Sequence, residues 1–215
     1  MSLILVIGNK NYSSWSLRAA LALELTDEPY EERRILLRQR DTSQRISEFS
    51  PSGRVPVLLT EQGPIWDSLA IAEYLAERFP EAHLWPRGEY ARAVARSVCV
   101  EMHSGFSALR THLPMDLRRR AELQCIPEDA REDIQRICAL WQFCRRHFGA
   151  DGPFLFGHAT VADAFYAPVA ARFYSYQVGL SEDATAYVAA VSGQPFSAGT
   201  GLRCMKRRQS ERDTR

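Results

Sequence analysis

Two short stretches hold residue types suited to gripping a small acidic peptide. In the first, Arg54-Val55-Pro56-Val57-Leu58-Leu59, a Val–Pro bond stands at the mouth of an apolar run. An X-Pro bond is the one place where a cis peptide costs only about 0.5–1 kcal/mol. A cis bond there turns the Val55 N–H and C=O outward, where an extended peptide can pair with them as an added strand. In the second stretch, Trp66-Asp67-Ser68 stands where a helix begins. Ser68 is the expected N-cap, and free N–H groups at a helix start attract a carboxylate. A backbone edge beside a carboxylate socket suits a small acidic peptide. A strand–turn–helix that needs no ligand explains the apolar residues, but not Arg54-Val55-Pro56 joined to Asp67-Ser68.

The elements that must position these residues are legible from their spacing. Val57 to Thr60 is short, apolar and partly β-branched, a buried strand. Gly63-Pro64 reads as a turn and Ile65-Trp66 as a brief further strand. Upstream, Leu3 to Ile7 is a continuous apolar run, a strand buried on both faces. Asn9 to Ser14 breaks it with turn formers; Trp15 to Leu25 then has helical spacing, with Ser13 or Ser14 as N-cap. Tyr30 to Leu37 reads as a strand, and Asp41 or Thr42 starts a short helix ending near Phe49. The order β-α-β-α-β-β-α is that of a thioredoxin-like half-domain, its first two strands parallel through a right-handed crossover.

Phe79 to Pro86 carries two prolines and no clear period, and reads as a linker whose Leu84 and Trp85 dock the two halves tightly. Strand signals then cease. Tyr90 to Leu109 has the pattern of one long helix, the segment between Leu113-Pro114 and Ile126-Pro127 is loop or a short helix, and Pro127 opens a helix running to Phe148. Thr160 with Asp163 forms a capping box in which Asp replaces the usual Glu, a folding element and not a catalytic acid. The expected fold class is therefore an α/β thioredoxin-like N-terminal domain over residues 1–80 plus an all-α C-terminal helical domain over residues 87–215. Residues 193–215 are expected as a disordered tail.

Composition narrows the function classes. The 215 residues are 46% hydrophobic and 25% charged, enough for one large or two modest cores. No apolar run approaches 18 residues and no basic region precedes one near the start, which argues against a membrane span or signal peptide. Five cysteines (Cys99, Cys125, Cys138, Cys144, Cys204) are odd in number and form no CxxC, so reduced thiols and a cytoplasmic setting are expected. No His or Cys cluster has ligand spacing, and no metal is expected. Of the net charge of +1, residues 202–215 hold +4 and residues 1–201 hold −3, so the body is not a nucleic-acid surface.

Arg54-Val55-Pro56-Val57-Leu58 followed by Asp67-Ser68-Leu69-Ala70-Ile71-Ala72-Glu73-Tyr74-Leu75 resembles the glutathione-site half of a cytosolic glutathione S-transferase. Phe154 to Ala167 resembles that family's buried helix of the second domain. Asn11-Tyr12-Ser13-Ser14-Trp15-Ser16 and Glu101-Met102-His103-Ser104-Gly105-Phe106 resemble a bacterial branch of it. The match runs over about residues 3 to 192 and departs from Gly193 onward, where glycines and a basic end replace a last apolar helix.

The resemblance implies glutathione as co-substrate, a small electrophile or peroxide as second substrate, and a homodimer. It implies that Val55 and Pro56 hold the cysteinyl backbone, that Asp67 and Ser68 hold the γ-glutamyl end, and that Arg54 helps to hold a carboxylate. Thiolate is the nucleophile, and a free thiol near pKa 8.5 is only a few per cent ionised at neutral pH. Lowering that pKa by about 2 units takes roughly 2.7 kcal/mol, which a hydroxyl and a helix N-terminus aimed at sulfur can supply. Asn11 to Ser14 offer both. Aligned on Arg18-Ala19-Ala20-Leu21, the family's catalytic serine position falls on Asn11; the order of candidates is Ser13, Ser14, Asn11 and then Tyr12. Tyr12, His103 and Phe106 are expected at the electrophile pocket, with a packed helix as the equal alternative for His103 and Phe106; Arg110 and Arg118 are expected in solvent. The implied function is a glutathione transferase, the alternative a glutathione-binding protein of the same fold with a regulatory or structural role.

Overall fold

The computed structural model describes residues 3–121 and 125–193. Chain order is β1 (Leu3–Ile7), α1 (Ser14–Glu24), β2 (Tyr30–Arg34), α2 (Thr42–Ser47), β3 (Val57–Thr60), β4 (Gly63–Trp66) and α3 (Ser68–Arg78). A short 3₁₀ turn at Pro80–Ala82 leads to five helices: α4 (Glu89–Ser104), α5 (Ser107–His112), α6 (Glu128–Phe148), α7 (Val161–Ser175) and α8 (Glu182–Ser192). The first part is thioredoxin-like and the second all-α, as the pattern predicts.

The sheet order is β2-β1-β3-β4, with β1 parallel to β2 and antiparallel to β3. Strand alternation divides the apolar residues between two faces. Leu5, Ile7 and Leu58 join the main core; Val6 and Val57 point the other way, onto Ile35 and Ile46. Helices α1 and α3 pack together on the main-core face, and α1 also packs on α7. One hydrophobic core thus runs from the sheet into the helices, through Leu84 and Trp85. Helix α7 is buried along nearly its whole length, and Asp163 at its start is fully buried. Its carboxylate accepts from Leu155 N–H (3.1 Å), Thr160 N–H (2.8 Å), Thr160 Oγ1 (2.9 Å) and Tyr187 Oη (3.0 Å).

Three local expectations are corrected. The turn before β4 falls on Glu61-Gln62, because Gly63, at φ 135°, already pairs with Thr60. β2 ends at Arg34, short of Leu37. The single helix expected from Tyr90 to Leu109 is two. Gly105 closes α4 on the Glu101 carbonyl at 2.9 Å, where a Cβ would meet that oxygen at 2.8 Å. Phe106 then turns left-handed (φ 58°) and buries its ring, which starts α5 in a new direction. The expected tail, from residue 194 on, and Cys204 lie outside the described residues.

Candidate functional site

The Val55–Pro56 bond is cis. Val55 lies just ahead of the β3–β4 ladder, which begins at the Val57–Trp66 pair. Ser50 Oγ shapes the approach by donating to the Arg54 carbonyl (2.6 Å) and accepting from the Arg54 N–H (3.2 Å). A cleft of about 280 Å³ opens here. Ser52, Arg54, Val55 and Pro56 form one wall, Trp66 and Asp67 another, and Trp15 and His103 the side facing the helices.

Asp67, not Ser68, caps α3. At φ 58° its Oδ1 accepts from Leu69 N–H at 2.8 Å. Ser68 moves to the first helical position, where it is fully buried, and its hydroxyl has no hydrogen-bond partner among the described residues. A buried hydroxyl left unpaired costs roughly 1–3 kcal/mol. Asp67 Oδ2 faces His103 Nε2 at 3.3 Å.

His103 sits edge-on to Trp15, ring centroids 4.9 Å apart. Burial lowers its pKa; Asp67 opposes this, and Arg18 and Arg110 reinforce it. Both guanidinium carbons lie over the Trp15 ring, Arg18 at 4.6 Å and Arg110 at 4.9 Å. Arg18 is fully buried, with Nε and Nη1 unpartnered among the described residues, and burial pulls its pKa to about 9. Arg110 was expected in solvent, yet it is half-buried and donates to the Met102 and His103 carbonyls (3.2 Å for the latter). The bend at Phe106 sets α5 against α6 and leaves Arg110 over the last carbonyls of α4. Arg118 remains exposed.

Ahead of α1, Ser13 is the N-cap. Its Oγ accepts from Ser16 N–H (3.2 Å) and donates to Ser16 Oγ (3.0 Å), which in turn accepts from Gly8 N–H (2.9 Å). Ser14 is buried, and its hydroxyl makes no hydrogen bond among the described residues. Asn11 Nδ2 donates to Asp116 Oδ1 at 2.9 Å, and the Asn11 carbonyl accepts from Leu117 N–H at 3.3 Å. Tyr12 is 56% exposed.

The family model for the glutathione S-transferase N-terminal domain matches residues 12–78. A probable maleylacetoacetate isomerase of Caenorhabditis elegans is 29% identical over 158 residues, 73% of this chain and 72% of that one. A maleylacetoacetate isomerase of Dictyostelium discoideum is 40% identical over 88 residues, 40% of this chain and 39% of its own length. Among solved structures, a glutathione transferase homolog from Burkholderia with bound glutathione superposes with a TM-score of 0.71 at 22% identity, over 96% of this chain and 99% of that one. Residues 12–78 thus match the N-terminal domain of the glutathione S-transferase family, and the chain as a whole has the glutathione transferase fold.

Arg54, Val55, Pro56, Asp67 and His103 come together around one cleft, whereas Ser68, fully buried next in sequence to Asp67, is not among its lining residues. Tyr12 and Phe106 do not line it. Tyr12 faces solvent, and the left-handed turn commits the Phe106 ring to the core. Trp15, Trp66 and Ser52 line the cleft without having been singled out from the sequence. Trp15 had a local signal, following the Ser-Ser of a helix start. Trp66 had none, because an aromatic in a short strand reads as core, yet it is 46% exposed.

Proposed function

We propose that this protein is a transferase that binds glutathione in the cleft and activates its thiol for attack on a small electrophile or peroxide. The observation that carries the reading is the cleft that joins the backbone edge at Val55 and cis-Pro56 to the Asp67 carboxylate, with the unpartnered Ser68 hydroxyl next in sequence. Val55 N–H and C=O would pair with the cysteinyl unit. Ser68 would donate to the γ-glutamyl carboxylate, and Asp67 would take the adjacent ammonium. Arg54, exposed at the rim, would reach a terminal carboxylate. The bound glutathione of the Burkholderia homolog supports glutathione as the ligand.

For the thiol, Ser14 replaces Ser13 as first candidate. Ser13 already directs its proton to Ser16, whereas Ser14 keeps its own and adjoins Trp15, a wall of the cleft. A hydroxyl donating to sulfur at a helix start favours thiolate, and the buried positive charge of Arg18 acts in the same direction. Asn11 is a neutral donor whose amide is held by Asp116. We place the enzyme in the cytoplasm as a homodimer, with residues 1–80 as its glutathione-binding domain.

The relatives' names favour a second reading on the same cleft, a glutathione-dependent cis–trans isomerisation of an activated double bond. Purified protein should be assayed with glutathione against electrophiles, hydroperoxides, disulfides and an activated cis-olefin. Conjugation or peroxide reduction supports transfer, and isomerisation without net glutathione consumption supports the second reading. Retention on immobilised glutathione without any turnover would leave a binding protein.

A further inference from the structure

We infer that His103 is a positioning residue for Asp67, through which the helical half of the chain sets how tightly the α-amino group of a bound γ-glutamyl peptide is held. The inference rests on the reading of the cleft as a glutathione site and goes beyond it, because it assigns the histidine to the peptide and not to the electrophile.

The geometry starts from the two oxygens of Asp67. Oδ1 is committed to Leu69 N–H at 2.8 Å, and Oδ2 faces His103 Nε2 at 3.3 Å. A contact of 3.3 Å is looser than a closed N–H···O bond, a spacing found in unloaded sites whose hydrogen bonds tighten with ligand. With its two oxygens addressed from α3 and α4, the carboxylate has one orientation, and each oxygen keeps lone-pair capacity for an ammonium. His103 is itself held, edge-on to Trp15 at 4.9 Å and within 6.5 Å of the Phe165 ring at an interplanar angle of 26°.

The charge state of the ring decides what it does to Asp67. The charged groups that face it are Asp67 from the start of α3, Arg18 from α1 and Arg110 from α5. Arg54 lies across the cleft. Two guanidiniums and partial burial oppose a third cation. A neutral ring donates from Nε2 and leaves the full negative charge of Asp67 to a ligand. Its Nδ1 is then a bare acceptor, which fits the absence of a partner for that buried atom among the described residues. An imidazolium would instead neutralise Asp67 and compete with the ligand's ammonium for it.

The test uses calorimetry on the full chain with two probes, glutathione and its analogue lacking the γ-glutamyl α-amino group. Wild type, His103→Leu and His103→Asn are compared at pH 7 and pH 5. His103→Leu is expected to weaken glutathione binding roughly five- to tenfold and to leave the analogue unchanged. His103→Asn, which can still donate, is expected to recover most of the loss. Wild-type affinity for glutathione is expected to fall between pH 7 and pH 5 as the ring protonates, while His103→Asn stays flat. Equal weakening of both probes, or identical pH profiles in wild type and His103→Asn, overturns the assignment while the cleft keeps its ligand. Wild type that binds neither probe overturns the glutathione reading itself. If His103→Leu does not fold, the pH comparison with His103→Asn decides alone.

Discussion

The side-chain amide of Asn11 donates to the carboxylate of Asp116 at 2.9 Å, joining the loop before α1 to a loop of the helical half. The same Asp116 oxygen accepts from Arg118 N–H at 3.0 Å, and Leu117 N–H returns to the Asn11 carbonyl at 3.3 Å. The segment that carries Ser13 and Ser14 is therefore anchored from across the molecule. Asn11→Ala and Asp116→Ala should each lower stability, Asp116→Ala by more because it frees two donors. Their coupling in a denaturant double-mutant cycle should be about 1 kcal/mol. Strict additivity would show that the contact does not form in solution.

The two serines should separate by readout. Ser14→Ala should raise the pKa of bound glutathione thiol by roughly one to two pH units, followed by thiolate absorbance, and lower turnover with affinity nearly unchanged. Ser13→Ala should lower the melting temperature, as loss of an N-cap costs about 1 kcal/mol, with a smaller effect on the thiol. A silent Ser14→Ala together with a raised thiol pKa in Asn11→Ala would transfer the role to the amide.

Much of this was legible because it is local. The run of Leu3–Ile7, the Val55-Pro56 pair and the Thr160–Asp163 box each state their geometry within a few residues. What escaped depends on distant packing. The break at Gly105 exists because Phe106 finds a buried place in the helical core, and no periodicity announces that. The cap shifted from Ser68 to Asp67 because Asp67 adopts a left-handed φ, a backbone choice hidden from residue type. Arg18 looked like any helix arginine, yet α7 brings Phe165 to within 5.0 Å of its guanidinium.

Glu24 gives a pH signature remote from the cleft. Burial, aided by Glu32 and opposed by Lys10, raises its pKa from 4.5 to about 7. The folded state then holds a proton that the unfolded chain releases above about 4.5, so this group's contribution is fully favourable below that pH and is lost as pH rises to about 7. For a partly exposed carboxyl, solvent screening limits the effect to roughly 1 kcal/mol. Glu24→Gln mimics the protonated form, so it should be more stable than wild type at pH 8, and the gain should vanish by pH 4. Chemical denaturation at the two pH values measures this; the same difference at both would remove Glu24 as the source.

Calorimetric titration of glutathione into wild type, Ser68→Ala and Asp67→Ala is the most direct test of the cleft. On the proposed reading, the orphaned Ser68 hydroxyl and the capping Asp67 meet the γ-glutamyl end, so wild type should bind. Ser68→Ala should weaken binding by about 1–3 kcal/mol, the usual loss of a hydrogen bond to a charged group. The variant protein itself should be no less stable than wild type, because the hydroxyl has no partner to lose. Unchanged glutathione affinity in both variants would place the site elsewhere and contradict the account.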